Sequence, residues 1–208
     1  MYVPPAFRED DPVKLRRIMC EARLATLVTA TADGLLATPL PLFLEDGGEH
    51  GVLCGHLAKA NPQWKTPAAG ESLVIFSGPD AYVTPSWYAS KQEHGKVVPT
   101  WNYVAVHAYG QAEFFEDEAR LLDLVTRLTD LHEGNREAPW GVADAPETFI
   151  RSQLKGIVGL RIPISRIEGK RKMSQNRPAA DRDGVAGGLA ASERPSDRQV
   201  APLISGPN

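Results

Sequence analysis

The chain has 208 residues, of which 42% are hydrophobic and 24% charged, with a net charge of −3. That length suits one well-buried core with at most a short appendage, and the composition is that of a folding globular chain. The acidic balance argues against a globally basic nucleic-acid-binding surface, although a local basic patch stays open.

The apolar stretches Leu24 to Ala32 and Leu35 to Leu44 fall short of the ~20 residues a membrane-spanning helix needs, so no membrane span is expected. Met1-Tyr2-Val3-Pro4-Pro5 has no basic head followed by an apolar run, which reads as no secretion signal and a cytoplasmic location. Cys20 and Cys54 have no close second ligand and read as buried free thiols.

In chain order, Asp10-Asp11-Pro12 caps a short first helix with Val13, Leu15, Ile18 and Met19 on its apolar face. Turn signals at Ala32-Asp33-Gly34, Glu45-Asp46-Gly47-Gly48 and Ala69-Gly70 then punctuate a run of antiparallel strands. These are expected at Ala25 to Ala30, Leu35 to Leu44, His50 to Leu57, Ser72 to Ser77, Ala81 to Thr84 and Val104 to Phe115. Pro39 and Pro41 lack ladder donors, so their strand must bulge, end or run along an edge. Leu121, Leu124, Val125, Leu128 and Leu131 predict a helix over Glu116 to Glu133, with a second from Pro146 through Leu154 and a strand from Ile157 to Ile167. The segment Arg177 to Ala191 is a helix weakened by Gly184, Gly187 and Gly188, each costing about 1 kcal/mol against alanine. Ser192 to Asn208 reads as an extended or partly disordered end.

Four strings carry possible chemistry. Gly55 to Trp64 leaves a strand and enters a turn with His56, Lys59, Asn61 and Gln63, donors that, with free backbone amides, suit a phosphate; the bland alternative is a polar connection with Trp64 as a core plug. Tyr82 to Tyr88 and Val98 to His107 mix aromatic and polar side chains, including Ser86, Trp87, Thr100, Trp101, Asn102 and Tyr103. They suit the walls and edge of a flat heterocycle, or equally a core or dimer interface. His107 reads as a cavity-lining histidine, with no metal-ligand pattern beside it. Gly169 to Arg177 is the strongest basic run, fit for a ligand phosphate, a nucleic-acid backbone or plain solvent. There is no GxGxxG after a strand, no GxxxxGK[ST], no GxSxG and no helix-turn-helix pattern, which disfavours dinucleotide-fold, P-loop and nucleophile-elbow enzymes.

Taken in order, these strings resemble the FMN-binding PaiB family of negative transcriptional regulators, a branch of the flavin-binding split-barrel proteins that includes pyridoxamine phosphate oxidases. The likeness rests on Met1-Tyr2-Val3-Pro4, Ala37-Thr38-Pro39-Leu40-Pro41-Leu42, Gly55 to Trp64 and Gly78 to Val83. It continues through Ser86-Trp87-Tyr88, Pro99-Thr100-Trp101-Asn102-Tyr103 and Lys172 to Arg177. It implies an α+β fold dominated by β, a six-stranded antiparallel FMN-binding split barrel with flanking helices over residues 1–177. A C-terminal helical extension and tail follow over 178–208.

The resemblance further implies a homodimer with its FMN sites at the subunit interface. Carried over by position, His56, Lys59 and Asn61 stand on the phosphate and ribityl side, with Gln63 in the same string. Thr38, Pro39 and Leu40 line the flavin along the bulged strand; Trp101 and Asn102, from either subunit, face the ring; Lys172, Ser174 and Gln175 close the pocket. The charged loop Ala89 to Val97 is a candidate lid. The implied function is an FMN-binding negative regulator whose repression is indirect, since no DNA-reading module is evident. An FMN-dependent oxidoreductase using a nicotinamide donor and a binding module without FMN are the alternatives. Any DNA contact is expected along Arg161 to Arg177.

Overall fold

The computed structural model describes residues 1–22 and 24–205. They form nine strands: β1 (Arg8–Glu9), β2 (Ala25–Thr31), β3 (Gly34–Leu40), β4 (Leu42–Glu45), β5 (Val52–Ala58), β6 (Ser72–Val83), β7 (Thr100–Gly110), β8 (Glu113–Phe115) and β9 (Ile157–Lys172). The helices are α1 (Pro12–Glu21), α2 (Ser90–His94), α3 (Glu118–Glu133), α4 (Glu147–Leu154), α5 (Ala179–Ala190) and α6 (Pro195–Ser205). The main sheet path runs β3-β2-β6-β7-β9-β5-β4, with β1 and β8 also paired to β9.

The chain divides into two compact units. One holds residues 22–76 and 107–167; the other holds residues 1–21, 77–106 and the chain from 168 onward. The first unit contains a segment of every strand on the main path. There β3 and β4 are separated in sequence by Pro41 alone, yet they occupy opposite ends of the path. A strip whose two ends meet across one residue must curl back on itself, and β3 indeed lies against β5. Proline has no N–H for a ladder, so the break falls where the backbone cannot pair. Gly55 permits the close fit at the break, since a Cβ there would stand 2.7 Å from the Pro41 carbonyl oxygen and 2.5 Å from the Leu42 side chain.

The split-barrel expectation is thus met in kind, with nine strands among the described residues rather than six, in a sheet that is not closed. The expected strand Leu35 to Leu44 is two, divided at Pro41. Ser72 to Ser77 and Ala81 to Thr84 are one continuous β6, because Gly78 is a point of close approach to Val104 rather than a turn. Val104 to Phe115 divides into β7 and β8 after Gly110, whose position leaves room for the Pro163 carbonyl oxygen, 2.2 Å from where a Cβ would sit. Of the two thiols expected to be buried, Cys54 is, whereas Cys20 is exposed, since Leu15 and Met19 take the inward face of α1.

In the second unit, Ala81, Val83, Tyr88, Val104 and Met173 form a core with Val185 and Leu189 of α5 and Val200, Ala201 and Ile204 of α6. The tail read as extended is therefore helical over Pro195–Ser205, because three of its few apolar residues fall on one face and find this core; Gly206 to Asn208 lie outside the described residues. The glycines of α5 have a packing role. A Cβ on Gly184 would meet the Trp87 carbonyl oxygen at 2.0 Å and one on Gly188 the Trp87 indole at 2.3 Å, whereas Gly187 faces open space. Asp181, buried on the same helix, accepts hydrogen bonds from the Ser90 amide at 2.9 Å and the Ser90 hydroxyl at 2.8 Å, fixing the start of α2 within the expected loop.

This packing assigns opposite signs to two neighbouring substitutions. Gly187→Ala should stabilise the protein by up to about 1 kcal/mol through helix propensity. Gly188→Ala should destabilise it by about 1–3 kcal/mol through overpacking on Trp87. Urea unfolding midpoints moving in the same direction for both would contradict the packing.

Candidate functional site

The residues singled out in the sequence fall into two groups, one in each unit. In the unit of residues 22–76 and 107–167, the organising side chain is Gln63, 1% exposed. Its carboxamide nitrogen donates to Thr29 Oγ1 at 3.0 Å and to the Leu27 carbonyl at 3.3 Å, with the Leu36 carbonyl at 3.5 Å. Its oxygen accepts from the Thr38 hydroxyl at 2.5 Å. Asn61 closes the circuit: its Nδ2 donates to Thr38 Oγ1 at 2.8 Å and its Oδ1 accepts from the Gln63 amide at 2.9 Å. The structure therefore brings Thr38 and Asn61, both half-buried, together with buried Gln63 as a polar network joining the 3-10 turn Pro62–Trp64 to β2 and β3.

That network changes the division of labour within the string. Of the backbone amides in the string, those of Lys59, Asn61 and Gln63 already bond to the Gly156 carbonyl, the Ala58 carbonyl and Asn61 Oδ1. Those three amides are not free for a ligand. Lys59 is gripped through its backbone, since the Trp64 indole donates to its carbonyl at 2.9 Å, while its half-exposed ammonium pairs with Glu116. Glu116 was not anticipated, because the sequence offers no signal linking it to a turn nearly 60 residues earlier.

Further back on β5, burial holds the His56 pKa below its ordinary 6.5, so the imidazole is neutral at pH 7. Its Nδ1 is buried without a hydrogen-bond partner among the described residues, and such an atom calls for a ligand or water. On β3, Pro39 is exposed and can present a surface to a ligand, but Leu40 is turned into the core and offers only backbone.

In the other unit, Trp101 is 51% exposed and meets Tyr82 edge to face, with centroids 5.8 Å apart. Asn102 beside it is buried and exchanges hydrogen bonds with Ser174, at 3.0 Å from Nδ2 to Oγ and 3.3 Å from Oγ to Oδ1. Ser174 holds a left-handed φ of 61°, the only such non-glycine residue among those described. Strain of this kind concentrates at ligand sites. Lys172 donates to the Trp101 carbonyl at 2.7 Å and to Thr100, and desolvation lowers its pKa from the usual lysine value. Gln175 is spent locally, accepting from the Met173 amide at 2.6 Å and donating to the Arg171 carbonyl.

The basic run is not a solvated patch. Lys170 is 8% exposed, donates to the Tyr2 carbonyl at 3.1 Å and lies 5.1 Å from the Tyr103 ring centroid. Arg171 donates to the Leu203 carbonyl, and Arg177 stands 4.7 Å over the Tyr88 ring. With Lys172 held at Thr100 and Trp101, these side chains hold the unit together.

A family model described as "Putative FMN-binding domain" matches residues 1–166. The chain is 36% identical over 205 residues to the protease synthase and sporulation protein PAI 2 of Bacillus subtilis (strain 168), covering 98% of this chain and 96% of the relative. It is 35% identical over 241 residues to an uncharacterized protein of Emericella nidulans, covering 98% and 96% respectively. The solved FAD and heme binding protein of Mycobacterium smegmatis shares the fold with a TM-score of 0.59 at 14% identity, covering 93% of this chain and 96% of that one. A flavocytochrome of Azotobacter vinelandii gives 0.57 at 16% identity, covering 79% and 69%.

Replacing Gln63 by leucine removes one partner each from the Thr29 and Thr38 hydroxyls and the Leu27 carbonyl. Gln63→Leu should lower stability by about 2–3 kcal/mol, read from the urea midpoint, and an unchanged midpoint would show that the network carries no weight.

Proposed function

The chain belongs to the FMN-binding domain family, and from that premise we propose that it is an FMN-binding regulator of the PaiB type, working as a homodimer and repressing its targets indirectly. Its cofactor is a flavin. The observations that carry the binding half are the buried His56 Nδ1 on β5, which has no partner among the described residues, and the half-exposed Lys59 just past the end of that strand. These residues fit an FMN phosphate: neutral His56 offers a hydrogen bond, and Lys59 exchanges the exposed Glu116 carboxylate for a dianion. Thr38, Asn61 and Gln63 set the position of that pair. In the other unit, Trp101 is an exposed aromatic of the kind a flavin ring stacks on, with Lys172, Asn102 and the strained Ser174 fixing the backbone beside it.

When bound, FMN supplies one- or two-electron chemistry. The residues around it orient the group and exclude water. The regulatory half of the proposal is supported by the resemblance to the PaiB family and by the 36% identical Bacillus relative. The indirect route is supported by the internal bonding of Lys170, Arg171 and Lys172, which leaves the strongest basic run unsuited to a phosphate backbone. The dimer is supported by Trp101 and Tyr82, exposed aromatics of the kind that interfaces bury.

Titration of the purified protein with FMN, followed by flavin fluorescence, tests this function. Saturable binding is expected, weakened about tenfold in Lys59→Ala, a loss of roughly 1.4 kcal/mol. The mass in solution should be that of a dimer of 22.6 kDa chains. Deletion of the gene should raise a set of transcripts that wild type lowers and Lys59→Ala does not. Absence of FMN binding at micromolar concentration would remove the flavin half. Steady NADH or NADPH oxidation by the FMN-loaded protein, with no transcript changed, would replace regulator by oxidoreductase.

A further inference from the structure

A cavity of about 430 Å³ is lined by α3, Phe115 and residues of β4, β5 and β9. Its floor is a cross-strand row in which Phe43 stands opposite Cys54 and Cys54 opposite Arg161. Phe115 forms a second wall. Its ring reaches β9 because Gly159 has no side chain, and a Cβ there would come within 2.3 Å of the ring. Both aromatic walls carry a guanidinium: Arg127 is 4.7 Å from the centroid of Phe43 and Arg120 is 3.8 Å from that of Phe115.

The charges around the cavity are unequally matched. Arg127 pairs with Glu45 and lies 3.7 Å from Asp123, while Arg161 pairs with Glu113 at 3.2 Å. Among the described residues Arg120 makes no ion pair. Burial, reinforced by Glu45, pushes the Cys54 thiol up to about 12, so the thiol is uncharged at physiological pH. The cavity thus offers apolar side chains at Phe43, Phe115 and Leu124, an uncharged thiol at Cys54 and, at Arg120, one guanidinium without an ion pair, within the ~300–1,000 Å³ of small-molecule sites.

We propose that this cavity binds a small, flat monocarboxylate, with its apolar body against Phe43, Phe115 and Leu124 and its carboxylate on the Arg120 guanidinium. The fork of arginine matches the two oxygens of a carboxylate, and a single free cation selects a monoanion over a phosphate dianion. None of its lining residues is among those assigned to the flavin phosphate, although Cys54 precedes His56 by two on β5 and Phe115 adjoins Glu116.

Binding of 2-naphthoate to the full chain, followed by the probe's fluorescence and by calorimetry, tests the site. Saturable binding is expected, with the neutral isostere 2-naphthamide at least tenfold weaker and with saturating FMN leaving the naphthoate affinity unchanged. Arg120 is exposed, so Arg120→Gln should keep the fold, weaken naphthoate at least tenfold and leave naphthamide unaffected. Ala119→Asp, which sets a carboxylate at the rim in the first turn of α3 where a helix tolerates one, should also expel naphthoate. Equal affinity for the two probes, indifference to both substitutions, displacement by FMN, or no naphthoate binding at millimolar concentration would each overturn the proposal. FMN titration of the same samples reports separately on the flavin seat.

Discussion

A buried carboxamide must satisfy both its oxygen and its nitrogen, because each unmade bond costs about 1–3 kcal/mol inside a protein. Gln63 meets this demand with Thr38, Thr29 and the Leu27 carbonyl, partners drawn from two strands well before it in the sequence. The turn that carries Gln63 is thereby pinned to β2 and β3. Once it is pinned, the Trp64 indole and the Gly156 carbonyl hold the Lys59 backbone, and the lysine side chain leaves at a defined point three residues beyond His56. The chemistry assigned to the site thus depends on a residue with almost no capacity left for a ligand.

Pro41 acts on the same region by a different constraint. Without a donor it cannot continue the ladder, so the chain leaves one end of the sheet and enters the other within a single residue. The split places the exposed face of β3 near its end, and Gly55 lets β5 run close beneath the break. Sheet topology, the glycine before His56 and the buried glutamine converge on one short stretch of β5 and the turn after it. Convergence of independent constraints on one place is what precise positioning of a ligand requires.

Much of this was legible in the sequence where periodicity or turn chemistry governs. Leu121, Leu124 and Leu128 face inward on α3 as their spacing foretold, whereas Leu131, read with them, is exposed, and Pro41 ends a strand as a missing donor should. What escaped has a common cause in long-range packing. Gly78 and Gly188 look like breakers in isolation, yet each makes room for a neighbour, Val104 in one case and Trp87 in the other. The basic run looks like a patch because Tyr2, Tyr103 and the Leu203 carbonyl, which absorb its charges, lie far away along the chain. The donors of Gly55 to Trp64 were visible, but their division into scaffold and ligand-facing groups depends on which side is buried, and that emerges only with β2 and β3 in place.

The central claim is that the flavin phosphate sits against His56 and Lys59. The imidazole nitrogen resonances of His56, observed by nitrogen-15 NMR during addition of FMN, report on it most directly. The expected result is a saturable shift of His56 Nδ1 as it gains a partner, with exposed His94 unmoved. Binding of FMN with no change at His56 would contradict the claim and move the phosphate elsewhere.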